Sequence, residues 1–231
     1  MDLKEIIEFL GKDWRSFIKS WYAVITKGHR VFEHLDLRDE STLIYGLRFM
    51  FYIGLIGVIL EIPVAALVGL QHEKPSYLVS SLVLLLSLWI GYSVIFHLSM
   101  KVVGGTAELR ETIAEFCFLT AFFPPIMMLQ LPLQQYMIPF LRESDNQEDQ
   151  LNVIFQLIFS PSDLMTFLTL YVLSSGLTIY FFIVLYKALR LINNLQGFKM
   201  ISGFSLGIFG VFLFVNLISV PLHNILYNAA L

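Results

Sequence analysis

The amino-acid sequence predicts an all-α, polytopic membrane protein: five transmembrane helices, the third broken at a Pro-Pro, preceded by an amphipathic cytoplasmic helix. Three observations predict it. Of 231 residues, 57% are hydrophobic and only 14% are charged, against roughly 25% charged in soluble domains. The apolar residues fall in long runs, and about 20 such residues span some 30 Å of hydrocarbon as a helix. The Lys and Arg residues crowd into alternate connections between those runs. Membrane strands would alternate apolar and polar residues, and 82–90 does not alternate.

The front end comes first. Residues 2–20 mix acids and bases without an uninterrupted apolar core, so no signal peptide is expected. Leu3, Ile6, Ile7, Leu10, Trp14, Phe17, Ile18, Trp21 and Ile25 fall on one helical face, with charged residues on the rest. Trp14, Phe17 and Trp21 suit a helix lying in the membrane interface. The same face also suits packing on the protein's own helix ends, or on a partner. Gly28 ends this helix, and 29–44 reads as a polar connector with Ser41 capping the first span. The expected organisation is 1–44 as cytoplasmic helix and connector, and 45–231 as a five-span domain.

Three spans carry no charge: 77–96, 164–186 and 200–222. A fourth, 49–70, carries Glu61 alone. The fifth, 116–141, is uncharged but holds Pro124, Pro125, Pro132 and Pro139 together with Gln130, Gln134 and Gln135. Orientation follows from the basic residues. Thirteen Lys and Arg fall in 1–48, 97–111 and 187–199, and two fall in the intervening connections and the tail. The expected topology therefore has a cytoplasmic N-terminus and an external or lumenal C-terminus. Reading 116–141 as a re-entrant hairpin would spoil that split, so one crossing broken at Pro124-Pro125 is expected.

Residues 97–129 read HLSMKVVGGTAELRETIAEFCFLTAFFPPIMML. An apolar helix ends in Lys101, Gly104 and Gly105 follow, then a polar stretch with Glu111-Thr112, then an apolar helix that breaks at proline. This resembles the Yip family, five-span membrane proteins named for interaction with Ypt/Rab GTPases. The front end WYAVITKGHRVFEHL and the segment ALRLINNLQGFKMISG are similar to the family's entry to the first span and its connection between the last two. The resemblance covers roughly residues 20 to 220. The short N-terminal region resembles prokaryotic members more than eukaryotic ones, which implies a prokaryotic cytoplasmic membrane.

Glu61 is the main candidate for function. It lies 12 or so residues into its run, about 18 Å deep at the helical rise. A carboxyl there must face the bundle interior, be neutral or be paired, or else lie near the outer interface. Pro63 weakens the same helix. A proton or ion site and a carboxyl satisfied by polar groups on neighbouring spans both fit. Pro124 and Pro125 break a helix at membrane depth, as transporters do at binding sites, and Gln130, Gln134 and Gln135 follow; a plain structural kink fits the same residues. Lys101, Gly104 and Gly105 read as an inter-helix turn, with phosphate binding beside Arg110 as the sharper alternative. His97 and Glu115 are expected near the cytoplasmic interface, solvated or snorkelling. Asn216 is expected to hydrogen-bond between helices. Gly203 and Gly207 allow a close helix contact, within the chain or with another subunit.

Net charge is −3 with no basic tail, so nucleic acid is not an expected partner. The one cysteine, Cys117, forms no intrachain disulfide, and no cluster has metal-site spacing. Ser80, Ser81 and Ser87 have no histidine at matching depth, and His72 and His223 have no clear metal partner, so no enzyme, metal or cofactor is expected. The expected function is a membrane scaffold or accessory subunit, in contact with the lipid bilayer and with a membrane-protein partner or a second copy. The alternative is a small-solute, ion or lipid transporter or channel using Glu61 and the broken third helix.

Overall fold

The computed structural model describes residues 3–67, 75–141 and 160–219, the side chains of 3–13, 61–67, 75–81, 131, 134–141, 163, 218 and 219 excepted. Among the described residues every regular element is helical. They are α1 (Leu3–Lys27), a 3-10 turn (Gly28–Val31), α2 (Glu40–Leu67), α3 (Pro75–Val102), α4 (Leu109–Leu119), a second 3-10 turn (Thr120–Phe122), α5 (Phe123–Leu141), α6 (Pro161–Asn193) and α7 (Gly197–Phe214). A π turn, Val215–Ser219, continues α7. Among the described residues five stretches are long and apolar enough to cross a membrane: Glu40–Leu60, Leu82–Val102, Leu109–Gln130, Leu164–Asn193 and Gly197–Leu217. That number agrees with the sequence expectation.

The third of these stretches, built from α4, the second 3-10 turn and the start of α5, forms the axis. α2 packs along both α4 and α5, α3 packs on α4, and α6 packs on both halves from another side. α7 lies outside, against α3. Glycines permit the close approaches. A Cβ on Gly46 would meet Cys117 at 3.2 Å, and one on Gly57 would meet the Phe123 ring at 2.7 Å. A Cβ on Gly203 would meet Val103 at 2.8 Å, and one on Gly207 would collide with the Phe96 ring. The Gly203/Gly207 pair therefore serves a contact inside the chain.

Aromatic rings fill the core around the axis. Phe118 lies against Phe49, Tyr45 and Phe32 with centroids 5.4, 5.9 and 6.4 Å away. Phe116 meets Phe96 at 5.5 Å, and Phe122 meets Tyr180 and Phe181 at 5.6 and 5.7 Å. In hydrocarbon these rings gain little by leaving lipid, so it is their close packing against one another, through van der Waals and ring–ring contacts, that favours the assembled bundle.

The entry to α2 differs from the expectation. The helix begins at Glu40, before residue 45, and Ser41 stands inside its first turn. The cap is Asp39. Its carboxylate accepts from the Ser41 amide at 3.2 Å and from the Ser41 hydroxyl, and its carbonyl accepts from the Thr42 amide at 3.1 Å. Asp and Ser both cap well, and the chain uses the one that lets Glu40 into the first turn, where the helix dipole favours an acid.

Candidate functional site

The connections with most of the basic residues meet at one end of the bundle. Thr106, between α3 and α4, donates through its amide and its hydroxyl to the Asn193 carbonyl at the end of α6, at 3.3 and 3.2 Å. Arg38, before α2, donates to a Glu111 carboxylate oxygen at 2.8 Å. The other Glu111 oxygen accepts from the Glu108 amide at 2.6 Å, closing the start of α4. Three separate connections are thus stitched together.

The front helix closes the same end. Phe17 and Val24 are fully buried, Trp14 stays half exposed and stacks on Phe17 at 5.1 Å, and Trp21 packs against the core. The Trp21 indole N–H donates to the Ala121 carbonyl at 2.8 Å. This pairing has a local cause. The acceptor four residues before Pro125 is Ala121, and the one three residues before Pro124 is Ala121 as well. Proline has no N–H, so this carbonyl has no helical donor. The Thr120 carbonyl escapes the same fate by accepting from the Phe123 amide in the 3-10 turn. An orphaned carbonyl in a buried stretch costs about 1–3 kcal/mol, and the indole removes that cost. Of the three sequence anchors, Phe17 and Trp21 are thus turned onto the protein.

The Lys101–Gly105 turn is a helix C-cap. The Gly104 amide donates to the Lys101 carbonyl at 3.0 Å and the Gly105 amide to the Met100 carbonyl at 2.8 Å, the two bonds of a Schellman motif. Gly104 has φ +93°, a region that only glycine enters readily. A Cβ on Gly105 would collide with Asn193 Oδ1. An anion does not fit this turn well. The start of α4 is already filled by Glu108 and Glu111, and Arg110 is paired with Glu108 at 3.2 Å.

Two residues expected at the solvated interface are covered instead. His97 is buried, with Nδ1 3.3 Å from the Thr112 hydroxyl. Glu115 has no exposed surface, and among the described residues neither of its carboxyl oxygens has a hydrogen-bond partner. Both face inward because α4 is the axis, and the connections close over its start. Helical spacing placed Glu115 one turn after Glu111. Only the tertiary packing determines that Arg38 reaches the first carboxylate and nothing reaches the second.

The remaining sequence candidates are not brought together. Glu61 and Pro63 lie on the backbone of α2, and their side chains are outside the described residues. Gln134 and Gln135 are likewise outside them, as are His72 and His223. Gln130 is exposed, so it does not line an interior cavity. Asn216 donates to the Phe212 carbonyl of its own helix at 2.7 Å and is exposed, rather than bridging two helices. Pro124 is buried in the first turn of α5. Among the described residues no group of His, Cys, Asp and Glu side chains has metal-site geometry. Cys117 is buried beside Met50, its sulfur 3.9 Å from the thioether.

No family model matches the chain, and neither a curated protein nor a solved structure matches it.

Proposed function

We propose that this chain is an integral membrane scaffold or accessory subunit of Yip-like type, with the stitched end of the bundle in the cytoplasm. The observation that carries the reading is the Trp21–Ala121 hydrogen bond. A helix break used for transport must offer its freed carbonyls to a passing solute or ion. Here the chain's own front helix takes the freed carbonyl. The polar groups beside it are mostly consumed internally as well, in the Arg38–Glu111 and Thr106–Asn193 contacts. The outward surface of α6, where Met165, Val172, Leu173, Ile179 and Ile183 are all exposed, is an apolar face open to lipid or to a membrane partner.

One observation favours a second reading. Glu115 is a fully buried carboxyl without a partner, on the axis of the bundle. Unpaired ionisable groups at such positions mark proton or ion pathways in many membrane proteins. Photo-crosslinking from positions 172 and 179 in native membranes separates the two. A discrete, stoichiometric protein adduct is the outcome expected for a scaffold. Lipid adducts alone, joined by proton flux in proteoliposomes that Glu115→Gln abolishes, would replace the scaffold by a transporter.

A further inference from the structure

On the stitched end, the Gly28–Val31 turn and the last turns of α6 enclose an open cleft of about 330 Å³. His29, Lys187, Arg190, Asn194 and Gln196 line it, and Leu191 forms an apolar wall. These side chains supply an ammonium, a guanidinium, an imidazole and two amides, a set rich in donors. No carboxylate is among them.

The cleft is held by the fold. Gly28 takes φ +57°, and a Cβ there would press on the Tyr180 hydroxyl and Val184, each at 2.9 Å. The turn therefore sits directly on α6 and carries His29 to Lys187. Asn194 ends α6 at φ 51°, so the chain turns away and leaves the last turn open. Asn193 and Leu195, both buried, fix the two sides of that corner.

The four cations nearest the helix ends of α4 and α6 differ in their partners. Arg38 and Arg110 have carboxylate partners, Glu111 and Glu108. Among the described residues Lys187 and Arg190 make no ion pair. Burial and the Lys187 charge hold the His29 imidazole below its ordinary pKa, with Glu33 opposing them in part and Arg30 lowering it a little further. The helix dipole explains a cation in the last turn of α6. It does not explain a histidine brought there from another element, or the two amides beside it.

We propose that this cleft binds a phosphate group, with Arg190 and Lys187 as the charged donors and Asn194, Gln196 and His29 completing the cradle. Guanidinium and ammonium groups bind phosphate through charge-assisted hydrogen bonds. The level of the cleft favours a phospholipid headgroup as the source. It lies where one apolar stretch ends at Asn193 and the next begins at Gly197. Leu191 of its wall is exposed, and exposed Phe198 and Ile201 follow Gln196 in the first turns of α7, an apolar surface on which the glycerol and upper acyl chains of the same lipid can lie. The proposal is independent of the scaffold reading.

Native mass spectrometry of the full chain tests it, after transfer from nanodiscs of phosphatidylcholine alone or with phosphatidic acid at about 9:1. Wild type is expected to retain phosphatidic acid in preference to phosphatidylcholine. The double variant Lys187→Gln/Arg190→Gln should lose about tenfold or more of that preference, while Lys187→Arg/Arg190→Lys keeps it. Gln196→Glu places an acid on the exposed rim without touching the core and should weaken retention in the same direction, so the test survives a misfolded double variant. Addition of inorganic phosphate assigns the source: displacement of the lipid at millimolar concentration, or retention of phosphate alone, makes the ligand a free anion in the same cleft. Equal retention of phosphatidic acid by wild type, the double variant and Gln196→Glu would overturn the proposal.

Discussion

The third and fourth membrane stretches are both apolar, yet 61% of the third is buried within the protein and only 17% of the fourth. The third holds Glu111, Thr112, Glu115, Thr120 and two adjacent prolines, and all but Pro125 are buried. The fourth is a more uniform apolar helix, with Met165, Val172, Leu173 and Ile179 pointing away from the bundle. The difference teaches where polar groups can be kept in such a protein. A helix surrounded by other helices can carry polar groups where neighbours supply partners, as Trp21 does for the Ala121 carbonyl and Arg38 for Glu111, with Glu115 the exception. A peripheral helix has no such supply, so its own backbone bonds must suffice.

The largest effect expected from this contrast comes from truncating a ring on the axis. Phe118→Ala should destabilise the protein by about 3–5 kcal/mol, since Phe118 touches rings from α2 and from the connector before it. Val172→Ala on α6 should stay within about 0.5 kcal/mol. Thermal unfolding in one detergent compares them, and equal losses would erase the distinction between axis and periphery.

Next in size is the hydrogen bond from Trp21 to the Ala121 carbonyl. Trp21→Phe keeps a large ring but removes the donor to Ala121, and should cost about 1–3 kcal/mol for the carbonyl left unpaired. Trp14→Phe, on a half-exposed ring, should cost much less. If the two variants melted together, the indole hydrogen bond would contribute nothing. Glu115→Met moves in the opposite direction. It replaces an unpartnered buried carboxyl with an apolar side chain of similar volume, and should raise stability by about 1–3 kcal/mol. A lower melting temperature would mean that the carboxyl has a favourable role that the present contacts do not contain.

The smallest effect belongs to the rim. Hydrogen bonds from the Ser41 hydroxyl and amide hold the Asp39 carboxyl below the usual aspartate range. A group whose pKa is depressed by folding contributes fully above its unfolded value. The Asp39 contribution is therefore complete near neutral pH and is lost as pH falls below the ordinary aspartate range. Asp39→Asn should flatten that part of the acid limb in a plot of melting temperature against pH, and an unchanged limb would remove Asp39 as the cap.

The contrast also marks what the sequence makes legible. The number of helices long enough to span a membrane follows from run length alone, because the backbone must satisfy itself in hydrocarbon. The Gly104 turn is legible because only glycine takes its φ easily. Adjacent prolines identify in advance the carbonyl that lacks a donor, but not the donor, since Trp21 lies 100 residues away in the chain. The burial of Glu115 and His97 was illegible for a related reason. Their distance from the helix ends suggests an interface, whereas the connections that fold over them come from three separate parts of the chain. The basic cleft was hidden too, because Lys187 and His29 are close only after Gly28 seats its turn on α6.

The central claim is that the third stretch is a protein-packed axis whose Ala121 carbonyl finds its donor within the protein, and Cys117 already stands on that stretch as a reporter. It is the one cysteine of the chain and is buried against Met50. The direct measurement is its reaction with a small, water-soluble maleimide in native membranes, followed by mass, with Gln196→Cys as the exposed control and detergent denaturation as the end point. Cys117 should stay unmodified while the control is labelled to completion, and should react only when the protein is unfolded. Labelling of Cys117 in the folded protein at the rate of the control would show that water reaches the third stretch, and would contradict the account.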